Sequence, residues 1–438
     1  MDCSLKYPEI GDEFDPRYHV LIPSKQDVQN RSDNPHWNSY EEIFRDNFPV
    51  RKFEVQEIPR KGRGLICTDK IYQGEMVFKE KASVFYEGPE EDDDMKDSTY
   101  YMVKSIYFGT AFCTVPLAIQ LGQNPDRVEE FNEHVDFIYQ DLLKDDLLEY
   151  PVKREDIAKI VNGIHTNSFA LDFLDGYALF MACSLCNHSC RENMGWHTVG
   201  DTMYWTALQD IEVGTELTIS YTFPSILPHR LKYFKENYGF FCDCPLCSGP
   251  SDPWRAFKCS CGGKIYQEPN GWICHQCHKI CTQEEIDEFI NEETAFKKLK
   301  KSKRIQHFYN KTRKMDNSHI YMFKTLRSFV FDEKCPNPLI LFEDYLVPIA
   351  KYQSSLCHSR LYSAILEQFG VALLKYAKKF PFQSQFCQDK AKKMFKIAYD
   401  YRCSLGMGIT GYAAQEYIEC LELFDEHKLE KYTEYVEY

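Results

Sequence analysis

Asn187-His188-Ser189-Cys190 is the stretch on which the reading of this chain turns. It is short and polar, and β-forming sequence surrounds it. Downstream come Met203-Tyr204-Trp205-Thr206-Ala207-Leu208, the turn Val213-Gly214-Thr215-Glu216 and the strand Leu217-Thr218-Ile219-Ser220-Tyr221. Upstream, Phe53-Glu54-Val55-Gln56-Glu57-Ile58 alternates with the period of two of a half-buried strand, and Pro59 ends it. Lys61-Gly62-Arg63-Gly64-Leu65 then predicts a glycine turn before a second strand through Ile66-Cys67-Thr68. Gln73-Gly74-Glu75 is a further turn, into the strand Met76-Val77-Phe78. The glycines at 62 and 64 also allow a ligand to approach the main chain closely.

A helical insertion divides these two β regions. From about 97 to 165, Val128, Phe131, Val135, Phe137, Ile138, Leu142 and Leu143 recur near the helical period. The acidic run Glu90-Glu91-Asp92-Asp93-Asp94 before it reads as a solvated loop, with docking of a basic substrate as the minority reading. Residues 1–48 read as a polar lead-in ending in a short helix near Tyr40–Phe48. Beyond about 284 the texture is helical. Leu361, Ile365, Phe369, Leu373 and Tyr376 form one apolar stripe, and Ala391, Phe395, Ala398 and Tyr399 another. Paired stripes of this kind suggest stacked helices of tetratricopeptide type. The fold class is therefore α+β, in four segments: lead-in 1–48, split β-rich module 49–241, cysteine-rich segment 242–283 and helical domain 284–438.

The cysteines carry the next layer. Cys242, Cys244 and Cys247 are spaced C-x-C-x2-C, and three thiolates so close can wrap one zinc that wants a fourth ligand from elsewhere. Cys259, Cys261, Cys274 and Cys277 give C-x-C-x12-C-x2-C, a zinc-ribbon pattern in which Gly262-Gly263 allows a tight turn around the sulfurs. His275, His278 and Cys281 are neighbouring spares for that site. Both sites are rich in thiolate and leave no evident open position for water, so both read as structural.

Bulk properties narrow the function. A chain of 438 residues with 44% hydrophobic and 27% charged residues is an ordinary globular chain of two or three modules. A formal charge of -14 disfavours nucleic acid as the main partner and suits a Lys-rich protein or peptide, or solubility alone. Met1-Asp2-Cys3-Ser4-Leu5-Lys6 lacks a signal-peptide pattern, and no apolar stretch spans a bilayer. With 19 cysteines, the expectation is an intracellular monomer of the nucleus or cytoplasm, where clustered cysteines mean metal before disulfides.

Taken in order, the Lys61–Leu65 loop, Asn187-His188-Ser189-Cys190, Glu216-Leu217-Thr218-Ile219-Ser220-Tyr221 and the cysteine triplet after Tyr238-Gly239-Phe240-Phe241 resemble the SET-domain protein-lysine methyltransferases. The arrangement is most similar to the SET-and-MYND subfamily. The resemblance covers roughly 50–250 well and 285–438 in outline. It implies S-adenosylmethionine as cofactor, with Lys61, Gly62, Arg63, Gly64, Asn187 and His188 cradling it. Asn167 and Ser184 are implied as further contacts, and Phe240 as the ring against the adenine. It implies Cys190 as fourth ligand of the first zinc, Tyr221 as the catalytic tyrosine that also borders the cofactor, and Phe169, Tyr221 and Tyr238 as walls of a lysine channel.

The sequence also departs from that family. Between the SET halves, residues 88–165 hold only Cys113, His134 and His165, so no MYND finger is expected. Glu192 stands where the family usually has proline before Asn193. The ribbon at 259–277 is not a standard part of the animal members; bridging to the helical domain is its expected role, and peptide or nucleic-acid contact the alternative. Two other functions compete with methyl transfer. One is an inactive SET scaffold that binds peptides through its helical domain. The other is a zinc-dependent nucleic-acid-binding protein, supported by the basic cluster Lys297-Lys298-Leu299-Lys300-Lys301-Ser302-Lys303-Arg304.

Overall fold

The computed structural model describes residues 37–431, apart from 49, 88–94, 110, 122–130, 145–147, 149, 172–175, 223–224, 333–334, 336, 358–359 and 409. Most of the lead-in, the acidic run 90–94 and Val128 thus lie outside the described residues. The chain is mixed α+β and divides into two compact units. The first takes residues up to Lys52 with Met76–Leu185 and Trp196–Trp205; the second takes Phe53–Glu75, Cys186–Gly195 and Thr206 onward.

In the first unit, helix Tyr40–Asn47 starts where Ser39 Oγ accepts the Glu42 N–H at 3.3 Å, and it buries Ile43 and Phe44. The insertion forms helices Met95–Tyr107, Val115–Ile119, Asn132–Leu142 and Arg154–Asn167. Val135, Ile138 and Leu142 are its buried stripe, as their spacing requires. Strands Met76–Lys81, Thr202–Ala207 and Met194–Val199 form one sheet in that order, and Val84–Glu87, Gly176–Leu179 and Ser168–Ala170 an antiparallel second. Trp205 is fully buried, stacks on Phe78 at 5.2 Å and donates Nε1–H to Cys183 Sγ at 2.8 Å. Glu80 is also fully buried and accepts the main-chain N–H groups of Ala182 and Cys183, each at 2.9 Å. Burial nevertheless pushes its carboxyl up to about 7.

The second unit opens on a hairpin, Phe53–Ile58 against Gly62–Cys67, registered from Phe53↔Cys67 to Ile58↔Gly62. Here the structure corrects the sequence reading. The Gly62–Leu65 segment is strand, and the turn lies before it, with Arg60 at φ 66° and Gly62 at φ 75°. Glycine serves the turn at position 62 only; at 64 it serves close packing. Strand Glu216–Ile219 joins Gly62–Cys67 antiparallel (Leu217↔Leu65) and runs parallel to Asn187–His188 (Thr218↔Asn187, Ile219↔His188). The ladder stops at Ile219, so Tyr221 lies past the strand end rather than within it. Helix Leu227–Tyr238 follows, ended by Gly239 at φ 74°.

Strands Phe257–Lys258, Lys264–Glu268 and Gly271–Cys274 form the ribbon. Phe257 stacks on Phe289 at 4.7 Å, and Trp254, Phe257 and Trp272 share one buried core with Phe323, Phe342 and Phe369 of the following helices. Helices Leu361–Lys379 and Ser384–Ser404 pack most extensively and share a core that holds the expected stripes except Tyr399, which packs instead by Met407, Tyr412 and Ala413. Between the two helices Arg402 pairs with Glu367 in the interior.

Candidate active site and metal centres

Cys190 converges with three cysteines that lie more than fifty positions further along the chain. The Sγ atoms of Cys190, Cys242, Cys244 and Cys247 all lie within 4.8 Å of one another, with Cys190 at 4.0 Å from Cys242 and 3.5 Å from Cys247. Zn–S bonds of about 2.3 Å arranged as a tetrahedron give edges of about 3.8 Å, so the donor set fits zinc. Cys259, Cys261, Cys274 and Cys277 form a second such group, with Cys259 at 3.7 Å from Cys277 and Cys261 at 3.6 Å from Cys274. The spare ligands drop out: His275 Nε2 is engaged with Glu268 Oε1 at 2.7 Å, and His278 and Cys281 lie outside the group. Among the described residues these are the two groups able to hold a metal ion. Sequence reading passed over a buried cation at the first group. Arg230 is buried, which by itself lowers its pKa, but Asp252 at 3.3 Å and then Cys247 raise it above the usual value, and the guanidinium offsets the negative charge of the thiolates.

The glycine strand and the Asn-His step meet at a carboxylate that sequence reading also passed over. Asn187 Nδ2 donates to Glu216 Oε1 at 2.9 Å and to the Arg63 carbonyl at 3.1 Å, while Lys61 Nζ lies 2.7 Å from Glu216 Oε2. Asn193, buried, donates to the Glu216 carbonyl at 2.8 Å and accepts the Thr218 N–H at 2.8 Å. The loop after Cys190 is therefore pinned to the strand with Glu192 in the usual proline position. Nothing in the spacing of Glu216 or Asn193 marks them as partners; only the sheet register does.

Around the first cysteine group stands a cluster of rings. His188 and Phe234 are 4.2 Å apart, His188 and Tyr221 5.2 Å, Tyr221 and Tyr238 5.0 Å, and Phe234 stacks on Phe240 at 5.2 Å. The Tyr221 hydroxyl donates to the Cys186 carbonyl at 2.5 Å, and burial pushes its pKa well above the usual tyrosine value. It is therefore a fixed, neutral O–H. His188 is 5% exposed, and burial holds its pKa down at about 4. Both its ring nitrogens have protein partners: Nδ1 accepts the Tyr221 N–H at 3.0 Å, and Nε2 meets Cys190 Sγ at 3.1 Å.

Lys61, Gly62, Arg63, Gly64, Asn187, His188, Tyr221, Tyr238 and Phe240 thus gather in the second unit with the first cysteine group. Asn167, Phe169 and Ser184 belong to the first. There Asn167 Nδ2 donates to the Gly163 carbonyl at 2.9 Å, and Ser184 Oγ to the Phe180 carbonyl at 2.7 Å. Phe169 packs edge-on to Trp196 at 5.1 Å.

Residues 62–222 match the SET domain family. Curated proteins similar to this chain include SET-and-MYND proteins and a plant histone methyltransferase. Protein-lysine N-trimethyltransferase SMYD5 of Gallus gallus is 34% identical over 118 residues, 24% of this chain and 28% of the relative. Histone-lysine N-methyltransferase ASHR1 of Arabidopsis thaliana is 30% identical over 132 residues, 27% of each chain. Human histone-lysine N-methyltransferase SMYD3 is 40% identical over 73 residues, 16% of this chain and 17% of the relative. The chain thus spans little more than a quarter of the length of these relatives at most. A crystal structure of the SET domain of LSMT bound to lysine and AdoHcy aligns over 93% of each chain at 12% identity, with a TM-score of 0.31. No helix among the described residues is long and apolar enough to cross a membrane.

Proposed function

We propose that this protein is an S-adenosylmethionine-dependent methyltransferase acting on lysine side chains of proteins, histone or non-histone, as a monomer of the nucleus or cytoplasm. The observation that carries the reading is the Tyr221 hydroxyl held on the Cys186 carbonyl beside the Asn187–Glu216–Lys61 set, inside a SET domain. The printed names of the relatives, protein-lysine and histone-lysine methyltransferases, support it. In this reading 49–241 transfers the methyl group, 242–283 supplies the zinc-bearing frame, and 284–438 is a helical accessory domain.

Bound S-adenosylmethionine supplies an electrophilic sulfonium methyl group. Lys61, Gly62, Arg63, Gly64 and Asn187 hold that cofactor, on main chain left open at Gly62 and a polar floor anchored on Glu216, with the main chain of His188 as a further contact and Phe240 against the adenine. A lysine amine attacks only when neutral, and its ordinary pKa is about 10.4. Tyr221 and Tyr238 desolvate the ammonium as it enters, which lowers that pKa. The Tyr221 O–H, fixed in place, orients the amine nitrogen for in-line approach. Zinc at the two four-cysteine groups supplies folding energy.

Purified protein incubated with labelled S-adenosylmethionine and cell extract is expected to yield labelled methyllysine after hydrolysis, and Tyr221→Phe to lose at least 100-fold in kcat/KM. A protein that binds S-adenosylmethionine yet labels nothing overturns the reading in favour of a scaffold.

A further inference from the structure

The strand that leads to Tyr221 ends too early to hold it. The ladder between Glu216–Ile219 and Asn187–His188 ends at Ile219↔His188. Two bonds fix Tyr221 beyond that point, and both return to one segment: its hydroxyl to the Cys186 carbonyl at 2.5 Å, and its N–H to His188 Nδ1 at 3.0 Å. Because Nδ1 accepts that N–H, the neutral imidazole carries its hydrogen on Nε2. Nε2 lies 3.1 Å from Cys190 Sγ, so it donates to a sulfur that, as a thiolate, is a strong acceptor. Phe234 against the ring at 4.2 Å and near-complete burial leave the imidazole no other position.

We propose that His188 is a positioning residue whose ring transmits the geometry of the four-cysteine metal site to the main chain at Tyr221. The metal fixes Cys190 Sγ, Cys190 fixes the His188 ring, and the ring fixes the Tyr221 amide. The metal centre thereby sets where the Tyr221 hydroxyl stands. The functional consequence rests on the methyl-transfer reading of Tyr221; the mechanical coupling does not.

Two substitutions separate the two bonds. Asparagine places an acceptor oxygen near the level of Nδ1 but cannot reach Cys190; glutamine places a donor nitrogen near the level of Nε2 but leaves nothing to receive the Tyr221 N–H. His188→Asn is expected to keep the Tyr221 amide protected in hydrogen exchange while zinc leaves to a chelator about tenfold faster, the effect of losing one hydrogen bond. His188→Gln is expected to keep zinc as in the wild type, to speed Tyr221 exchange about tenfold, and to lower kcat about tenfold with KM within twofold.

The coupling itself is read from a double-mutant cycle. Cys247→Ser, which opens the metal site, is expected to speed Tyr221 exchange in protein carrying His188 and to add nothing in His188→Gln. An equal effect of Cys247→Ser in both backgrounds overturns the proposal, as does His188→Gln with unchanged Tyr221 exchange. The second result needs no metal-free protein, so it stands even if Cys247→Ser fails to fold. Exchange requires no turnover, so a protein that transfers no methyl group would sink the proposed function and leave the coupling to be decided on these measurements.

Discussion

Gly64 lies so close to Asn187 that a methyl group on its Cα would stand 2.7 Å from Asn187 Nδ2, and 2.3 Å from Ile58 Cδ1. The two neighbours differ in what they can yield. Ile58 offers the end of a flexible side chain, whereas the Asn187 amide is held by the Arg63 carbonyl and the Glu216 carboxylate. Gly64→Ala is therefore expected to break the Asn187–Glu216 bond before it harms the fold. A hydrogen bond to a charged group is worth about 1.5–3 kcal/mol, so S-adenosylmethionine affinity by calorimetry should drop roughly ten- to hundredfold. Adding Ile58→Val should restore thermal stability but not affinity. Full recovery of binding in that double variant would show that Asn187 is not the sensitive neighbour.

The metal sites should separate by their consequences. Cys190→Ser is expected to lower zinc from two equivalents to one and to loosen S-adenosylmethionine binding with it, because Cys190 adjoins the Asn187–His188 step. Cys261→Ser is also expected to cost one equivalent. There cofactor affinity should hold while the helical region melts earlier, since the ribbon shares its buried core with Phe289 and the helices beyond. Metal analysis with calorimetry on both variants checks this. A drop in affinity from Cys261→Ser alone would contradict the assignment of the ribbon as a bridge.

What the sequence revealed and what it hid follow from the kind of constraint involved. Thiolates that share an ion need fixed short spacings, so Cys242, Cys244 and Cys247, and the two ribbon pairs, were legible from spacing, whereas the fourth ligand, Cys190, was legible only through the resemblance to SET-domain methyltransferases. Helical stripes such as Ile365, Phe369 and Leu373 were legible because burial on a helix has a period. Glu216, Asn193 and Arg230 were not. A single polar residue has no period, and its role exists only once the register Leu217↔Leu65 and Thr218↔Asn187 brings strands together. Gly62 and Gly64 looked alike as turn formers, yet only Gly62 has a positive φ; Gly64 is glycine because Asn187 and Ile58 crowd it. His188 was read as a cofactor contact, and the type of residue cannot tell that from a ring whose two nitrogens are spent on Tyr221 and Cys190.

Glu80 predicts a pH dependence with a definite sign. Its carboxyl is raised from 4.5 to about 7 in the folded protein, because burial outweighs the N–H groups of Ala182 and Cys183. The folded state therefore keeps a proton that the unfolded chain releases above 4.5. Its contribution to stability is present at low pH, falls as pH rises from about 4.5 to 7, and is constant beyond. Glu80→Gln cannot ionise and escapes this loss. The stability of the variant relative to the wild type should rise by up to roughly 3 kcal/mol between pH 5 and pH 8 in denaturant titrations. A difference that stays constant over that range would rule out a raised carboxyl at Glu80.

Arg402 and Glu367 test the helical domain. Arg402 Nη2 lies 2.7 Å from Glu367 Oε2 and 3.2 Å from Glu416 Oε2, and Arg402 and Glu367 are 5% and 7% exposed. Withdrawing two charges from water costs several kcal/mol, and their attraction offsets this only while both are present. Glu367→Ala leaves the guanidinium buried with Glu416, itself partly solvated, as its one remaining carboxylate; a loss of about 3–5 kcal/mol is expected in chemical denaturation. Glu367→Leu combined with Arg402→Met removes both charges and keeps the volume. That double variant should be more stable than either single change and close to the wild type. If instead it is as unstable as Glu367→Ala, the pair contributes through the alignment of helices Leu361–Lys379 and Ser384–Ser404 rather than through charge compensation.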